Sequence, residues 1–344
     1  MQSPITVQLS DASTNTLRTL SDQIVPVLAA DPAAAVALPE IPEHVQVELH
    51  DCMPQSHAGV TVVRGLPLEV DQMGPTPQRW SEVPADRTAE WSAQMLLMAR
   101  ALGRPIGWAG QQDGRLVHDI LPTPGKEHEQ TGASSSVELS PHTEDAFHPQ
   151  RANLILLACV RNPDRVPTQV ASVRHARLAD TEREVLSAPT LPILPDSSYA
   201  ETDDIGGFAA EGTAAVAPPV ATVWDTGIGL GLRYDPAYTP LQGSDPAYLS
   251  AYRRLGEELE RATFNVALEP GDVLIIDNDV AAHGRKPFQA RYDGTDRWLR
   301  RVSVRLPERR RPWTEATEHG YGQQVLDPWA GMTTGGVSVA GAVS

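Results

Sequence analysis

Only two cysteines, Cys52 and Cys159, occur in 344 residues. They provide neither a disulfide framework nor a cysteine-based zinc spacing. Cys159 lies in the apolar run Leu154 to Val160, where a buried thiol is expected. Positive charge is scarce as well, with 28 Lys and Arg against 44 Asp and Glu and a net charge of −16. Such a surface repels phosphate backbones and anionic headgroups, so nucleic-acid and membrane partners are not expected. It tolerates a cationic small molecule without selecting one. No apolar stretch approaches the length of a membrane span. The N-terminus lacks a basic region followed by an apolar one, so no signal peptide is expected and the cytoplasm is the default. There is no solenoid repeat and no P-loop, and Gly227-Ile228-Gly229-Leu230-Gly231 lacks the strand-to-helix context of a dinucleotide loop.

What is present divides by texture. Leu17, Leu20, Ile24 and Leu28 have helical spacing, which predicts a helix from about Thr14 to Ala30 that Pro26 would kink or shorten. Val60 to Val63 reads as a strand, Glu69 to Pro84 as loop, and Thr88 to Leu102 as a helix ended by Gly103. After Arg115 come short strands: Leu116 to His118, Asn153 to Val160, Gln169 to Val173, Asp272 to Asp277 and Trp298 to Leu306. One more helix, from about Pro246 to Thr263, follows a cap at Ser244 or Asp245. Helices first and strands later predict an α+β protein built around a β-sandwich or barrel. Residues 1–330 are expected to form a single domain. The small, mostly uncharged residues 331–344 read as a flexible C-terminal tail.

Two of the ten histidines stand in informative contexts. In Ser140-Pro141-His142-Thr143-Glu144-Asp145, a strand would project residues i and i+2 from one face, presenting an imidazole and a carboxylate to one point. These are two ligands of a 2-His-1-carboxylate triad, whose remaining positions stay open. His283 follows an apolar strand, and Arg297 comes after a turn that would make a hairpin and return it toward His283. Arg297, Leu299 and Arg301 share one face of the next strand. Two inward arginines are costly unless they meet carboxylates, which guanidiniums bind in bidentate fashion. The bland alternatives are solvent-facing side chains at 142 and 144, a structural His283, and an outward strand with solvated arginines.

The string Gly271-Asp272-Val273-Leu274-Ile275-Ile276-Asp277-Asn278, with His283-Gly284-Arg285, Arg291-Tyr292-Asp293-Gly294 and Asp296-Arg297-Trp298-Leu299, resembles the clavaminate synthase-like family. Within it, His142 to Phe147 and Arg161-Asn162-Pro163-Asp164 resemble the viomycin-type L-arginine 3-hydroxylase group. The likeness runs from about Val60 to Arg305. It implies a double-stranded β-helix (jelly-roll, cupin-like) core with flanking helices, and an oxygenase that uses Fe(II), 2-oxoglutarate and O₂. Carried over, His142, Glu144 and His283 hold the metal, while Arg297 and Thr168 hold 2-oxoglutarate. Gln111, Glu144, Ser198, Asp235 and Arg301 contact an amino-acid substrate, with Arg301 on its α-carboxylate.

The implied reaction converts 2-oxoglutarate to succinate and CO₂ and removes a substrate hydrogen. Rebound gives an alcohol, and loss of a second hydrogen an alkene. Glu144 argues against a halogenase, since the relatives that halogenate replace the carboxylate with a small residue. The Asp-x-Asp pair by which the group's arginine hydroxylases fork the guanidinium is Asp235-Pro236-Ala237 here, so a neutral or modified side chain such as citrulline is the alternative to arginine. Residues Thr202 to Val220 read as a mobile lid or as an ordinary surface loop. A zinc hydrolase on the same fold would have no use for Arg297 at its spacing from His283, and an intact triad together with Arg297 argues against a non-enzymatic ligand-binding protein with a decayed site. The oligomeric state is left open.

Overall fold

The computed structural model describes residues 4–55, 57–199, 218–306, 309 and 311–330. The expected tail 331–344 and most of the expected lid lie outside these residues. The strands are β1 (Ile5–Gln8), β2 (Val60–Arg64), β3 (Arg104–Trp108), β4 (Val117–Ile120), β5 (Leu139–His142), β6 (Leu154–Arg161) and β7 (Thr168–Ser172). They continue as β8 (Val223–Asp225), β9 (Leu230–Leu232), β10 (Phe264–Val266), β11 (Val273–Asp277), β12 (Ala281–Arg285), β13 (Trp298–Arg305) and β14 (Val325–Leu326).

An eight-stranded sheet runs β1-β2-β11-β6-β13-β3-β14, with β4 also paired to β13. A four-stranded sheet runs β10-β7-β12-β5. The two-residue alternation of β6 shows how they stack. Ile155, Leu157 and Cys159 share a core with Val170 of β7 and Ala281 of β12, so this face lies between the sheets. Leu154, Leu156, Ala158 and Val160 lie in a second core with the helices of the N-terminal part. The outer face of the small sheet carries Ala171 and Ala282, which pack with Leu186, Tyr252 and Leu255 of two later helices. Both faces of the long central strand are therefore dry, which explains its unbroken apolar run.

The helices are α1 (Asp11–Ser21), α2 (Val25–Ala30), α3 (Glu43–His50), α4 (Val70–Met73), α5 (Ala85–Leu102), α6 (Asp180–Ser187) and α7 (Pro246–Ala262). The expected first helix is two. Pro26 cannot continue α1 but fits the first turn of α2, where its missing N–H is not needed. The span Glu69 to Pro84, expected as loop, contains α4 and one 3-10 turn. Asp245 caps α7, accepting from the backbone N–H of Ala247 and Tyr248. The expected hairpin between His283 and Arg297 is corrected: β12 pairs within the small sheet and β13 within the large one, so residues 286–297 cross between sheets. Among the described residues no helix is long and apolar enough to cross a membrane.

Candidate active site

His283 sits mid-way along β12, directly opposite His142 at the end of β5. The two rings lie 4.7 Å apart between centroids. β5 ends at His142, so Glu144 is not on the strand and the expected strand geometry does not bring it there. Thr143 instead exchanges hydrogen bonds with Tyr234, and Asp145 has a φ of 52°, which turns the chain sharply away. Glu144 Oε2 nevertheless lies 3.3 Å from His283 Nε2 and 4.0 Å from His142 Nε2. One ligand atom from each residue falls within 4.8 Å of the others. Ligands about 2.1 Å from one metal at right angles lie roughly 3 Å apart, so this cluster needs little closure to hold an ion.

The donor chemistry fits a metal. His142 Nδ1 bonds the carbonyl of Ser140 at 2.8 Å, which makes Nδ1 the protonated nitrogen and leaves a lone pair on Nε2. His283 is buried, and its Nδ1 has no partner among the described residues. Burial pushes the His283 ring below its usual range. Burial alone would raise the Glu144 carboxyl, but Arg301 and the hydrogen bond from His283 outweigh it and hold it well below the usual carboxylate range.

One cavity takes in all nine residues that the sequence singled out, including Thr168, Ser198 and Asp235. Arg297, just before β13, is buried, and Nη2 donates to Thr168 Oγ1 at 3.1 Å. Its Nε has no partner among the described residues, and desolvation pushes the guanidinium down to about 10. Arg285, not singled out from sequence, is a second buried guanidinium on this wall, also pushed down to about 10 by burial and then by Arg297. It braces Ser134 Oγ and the carbonyls of Ser135 and Val137. Unneutralised positive charge in a dry wall is a site for an anion.

Arg301, on β13, also lines the cavity, and its Nη1 donates to Glu144 Oε1. Nη2 reaches Gln111 Oε1 at 3.3 Å and His118 Nδ1 at 3.0 Å. His118 gives its Nε2 proton to the Arg115 carbonyl at 2.9 Å, so Nδ1 accepts, and burial together with Arg301 pushes the ring down to about 3. Gln111 Nε2 continues to Ser198 Oγ at 2.7 Å, and Ser198 Oγ donates to Asp196 Oδ1 at 2.5 Å.

Asp235 Oδ1 accepts from the backbone N–H of Ala237 at 3.1 Å and of Tyr238 at 3.3 Å. Burial, reinforced by Asp196, pushes its carboxyl up to about 6, and burial also raises Asp196. Neither acid has a cationic side chain as hydrogen-bond partner among the described residues. Sequence reasoning missed Asp196 because it belongs to a separate segment from Asp235. Its one signal among the site residues was Ser198, two residues on.

Two histidines and a carboxylate lining a cavity, with a guanidinium that has no carboxylate partner among the described residues, define the class of the site: the 2-His-1-carboxylate arrangement of non-haem iron oxygenases. The chain belongs to the taurine catabolism dioxygenase TauD, TfdA family, whose model matches residues 48–303. It is 39% identical to enduracididine beta-hydroxylase of Streptomyces hygroscopicus over 282 residues, covering 77% of this chain and 82% of the relative. It is 33% identical to L-ornithine/L-arginine 3-hydroxylase of Catenulispora acidiphila over 79% of this chain and 84% of that one. Among solved structures, the non-heme iron oxygenase OrfP in complex with Fe, succinate and (3S)-hydroxy-L-Arg matches with a TM-score of 0.77 and 35% identity. That match covers 87% of this chain and 94% of OrfP.

Proposed function

We propose that the protein is an Fe(II)- and 2-oxoglutarate-dependent oxygenase that hydroxylates a free L-amino acid at C3 or C4, with arginine the favoured substrate, in specialised-metabolite biosynthesis. The observation that carries the reading is the division of charge in one cavity. Among the described residues, Arg297 has no carboxylate partner, and it lines the cavity together with Asp196 and Asp235, which have no cationic hydrogen-bond partner, and the His142, Glu144 and His283 cluster. The matching relatives are named as hydroxylases of enduracididine, ornithine and arginine, and a similar structure holds hydroxyarginine. The two stacked sheets are read as the halves of a double-stranded β-helix in one domain of residues 1–330, since they share a core.

Each residue then has a task. His142, His283 and Glu144 would hold the iron. Arg297 and Thr168 grip the distal carboxylate of 2-oxoglutarate, and the fixed guanidinium orients it at little entropic cost. Bound iron supplies O₂ activation coupled to oxidative decarboxylation of 2-oxoglutarate. Arg301, aligned by His118 and Gln111, receives the substrate α-carboxylate, and Glu144 Oε1 faces the ammonium. Asp235 and Asp196 take the cationic end, fixing which carbon lies nearest the metal. The test is competition between arginine, citrulline, lysine and asparagine at equal concentration, read by mass spectrometry. Arginine should gain one oxygen first. Preferential oxidation of a neutral amino acid would overturn the substrate, and loss of two hydrogens would make the enzyme a desaturase.

A further inference from the structure

The Glu144 carboxylate is the cluster member with no strand to hold it, since β5 ends at His142 and the chain turns away at Asp145. Its backbone polar groups are nevertheless satisfied, and one side chain does it. Asn278 Oδ1 accepts the Glu144 N–H at 2.7 Å, and Asn278 Nδ2 donates to the Glu144 carbonyl at 3.0 Å. The same Nδ2 donates to the Ala152 carbonyl at 3.0 Å. One N–H and two carbonyls around the amide leave it a single satisfied orientation. Asn278 is fully buried, so none of these bonds is exchanged with water.

Asn278 also lies on the turn between β11 and β12, and β12 carries His283. Its own N–H donates to the Asn153 carbonyl at 2.9 Å. Next to it, Asp279 is anchored by Arg311 at 2.7 Å and by Asn153 Nδ2 at 2.7 Å. The short piece from Asn278 to His283 therefore delivers one imidazole and, through the amide, fixes the backbone of the carboxylate. We infer that Asn278 is a positioning residue for Glu144: its amide stands in for the missing strand partner and sets the spacing between Glu144 and His283. This rests on the reading of His142, Glu144 and His283 as the metal ligands.

Loss of a group that orients a metal ligand typically lowers metal affinity by roughly 10- to 100-fold. The test is titration of the anaerobic full-length protein with Co(II), followed by its ligand-field absorption, with the melting temperature of the metal-free protein measured in parallel. Asn278→Asp places an oxygen against two carbonyl oxygens, and Asn278→Ser removes the amide. Should the aspartate variant not fold, the serine variant carries the test. Asn153→Ser is the control, because it loosens the same turn at Asp279 without touching Glu144. The expected result is a Co(II) affinity about 10- to 100-fold lower in the Asn278 variants, against wild-type affinity but lowered melting temperature in Asn153→Ser. Wild-type Co(II) affinity in the Asn278 variants, with binding lost in His142→Ala and His283→Ala, would overturn the positioning role and leave the ligand set standing. Wild-type affinity in all of these variants would overturn both.

Discussion

Replacing Arg297 by methionine should make the metal-free protein more stable while weakening its response to 2-oxoglutarate. Burial pushes this guanidinium down from its ordinary range to about 10, and its side-chain hydrogen bond goes to a neutral hydroxyl. At about 1.4 kcal/mol per tenfold, the buried charge costs roughly 3 kcal/mol. The folded state binds this proton less well than the unfolded chain. The cost is therefore present at every pH below about 10 and is relieved only as the pH climbs above that value. At neutral pH methionine removes it and forfeits the Thr168 hydrogen bond, whose charged donor makes it worth about 1.5 kcal/mol. The balance favours the variant by roughly 1.5 kcal/mol, or a few degrees in melting temperature. The lost ionic contact weakens 2-oxoglutarate by about 1.5–3 kcal/mol, about one to two powers of ten. Thermal melts of the Mn(II)-loaded protein with and without 2-oxoglutarate, beside metal-free melts, read both effects. A variant that melts below wild type and still gains wild-type stability from 2-oxoglutarate would refute the reasoning.

Two further outcomes follow from the same cavity. Asp235→Asn should raise the arginine concentration needed for half-maximal rate by roughly ten- to a hundredfold. In the wild type that requirement should rise as the pH falls below about 6, where the raised Asp235 carboxyl takes up its proton while arginine stays charged. Equal requirements at pH 5.5 and 7.5 would contradict the role of Asp235. His142→Ala or His283→Ala should abolish the weak visible charge-transfer band of the anaerobic complex with Fe(II) and 2-oxoglutarate, and persistence of the band in both would remove the ligand assignment.

Strand positions and the two histidine segments were legible because period and residue type act locally: an unbroken apolar run becomes a strand buried on both faces, as β6 does. What escaped depends on partners distant in sequence. Glu144 was expected on a strand, yet it is Asn278 that holds it, and nothing within the His-x-Glu segment signals that amide. The turn Arg291 to Gly294 suggested a hairpin, but turn residues serve equally in a crossing between sheets. Arg285 and His118 gave no local sign of their places in the cavity, because their neighbours are assembled by the fold. Asp196 supplies a second acid where Ala237 had suggested that none would be found.

One cavity is expected to couple 2-oxoglutarate decarboxylation to oxidation of a cationic amino acid. Counting succinate and product together, with arginine as substrate and Fe(II), 2-oxoglutarate and O₂ supplied, tests it most directly. The expected result is arginine-dependent succinate, matched one for one by a product that has gained a single oxygen. Succinate formation that no amino acid accelerates, or an unaltered arginine beside it, would contradict the account.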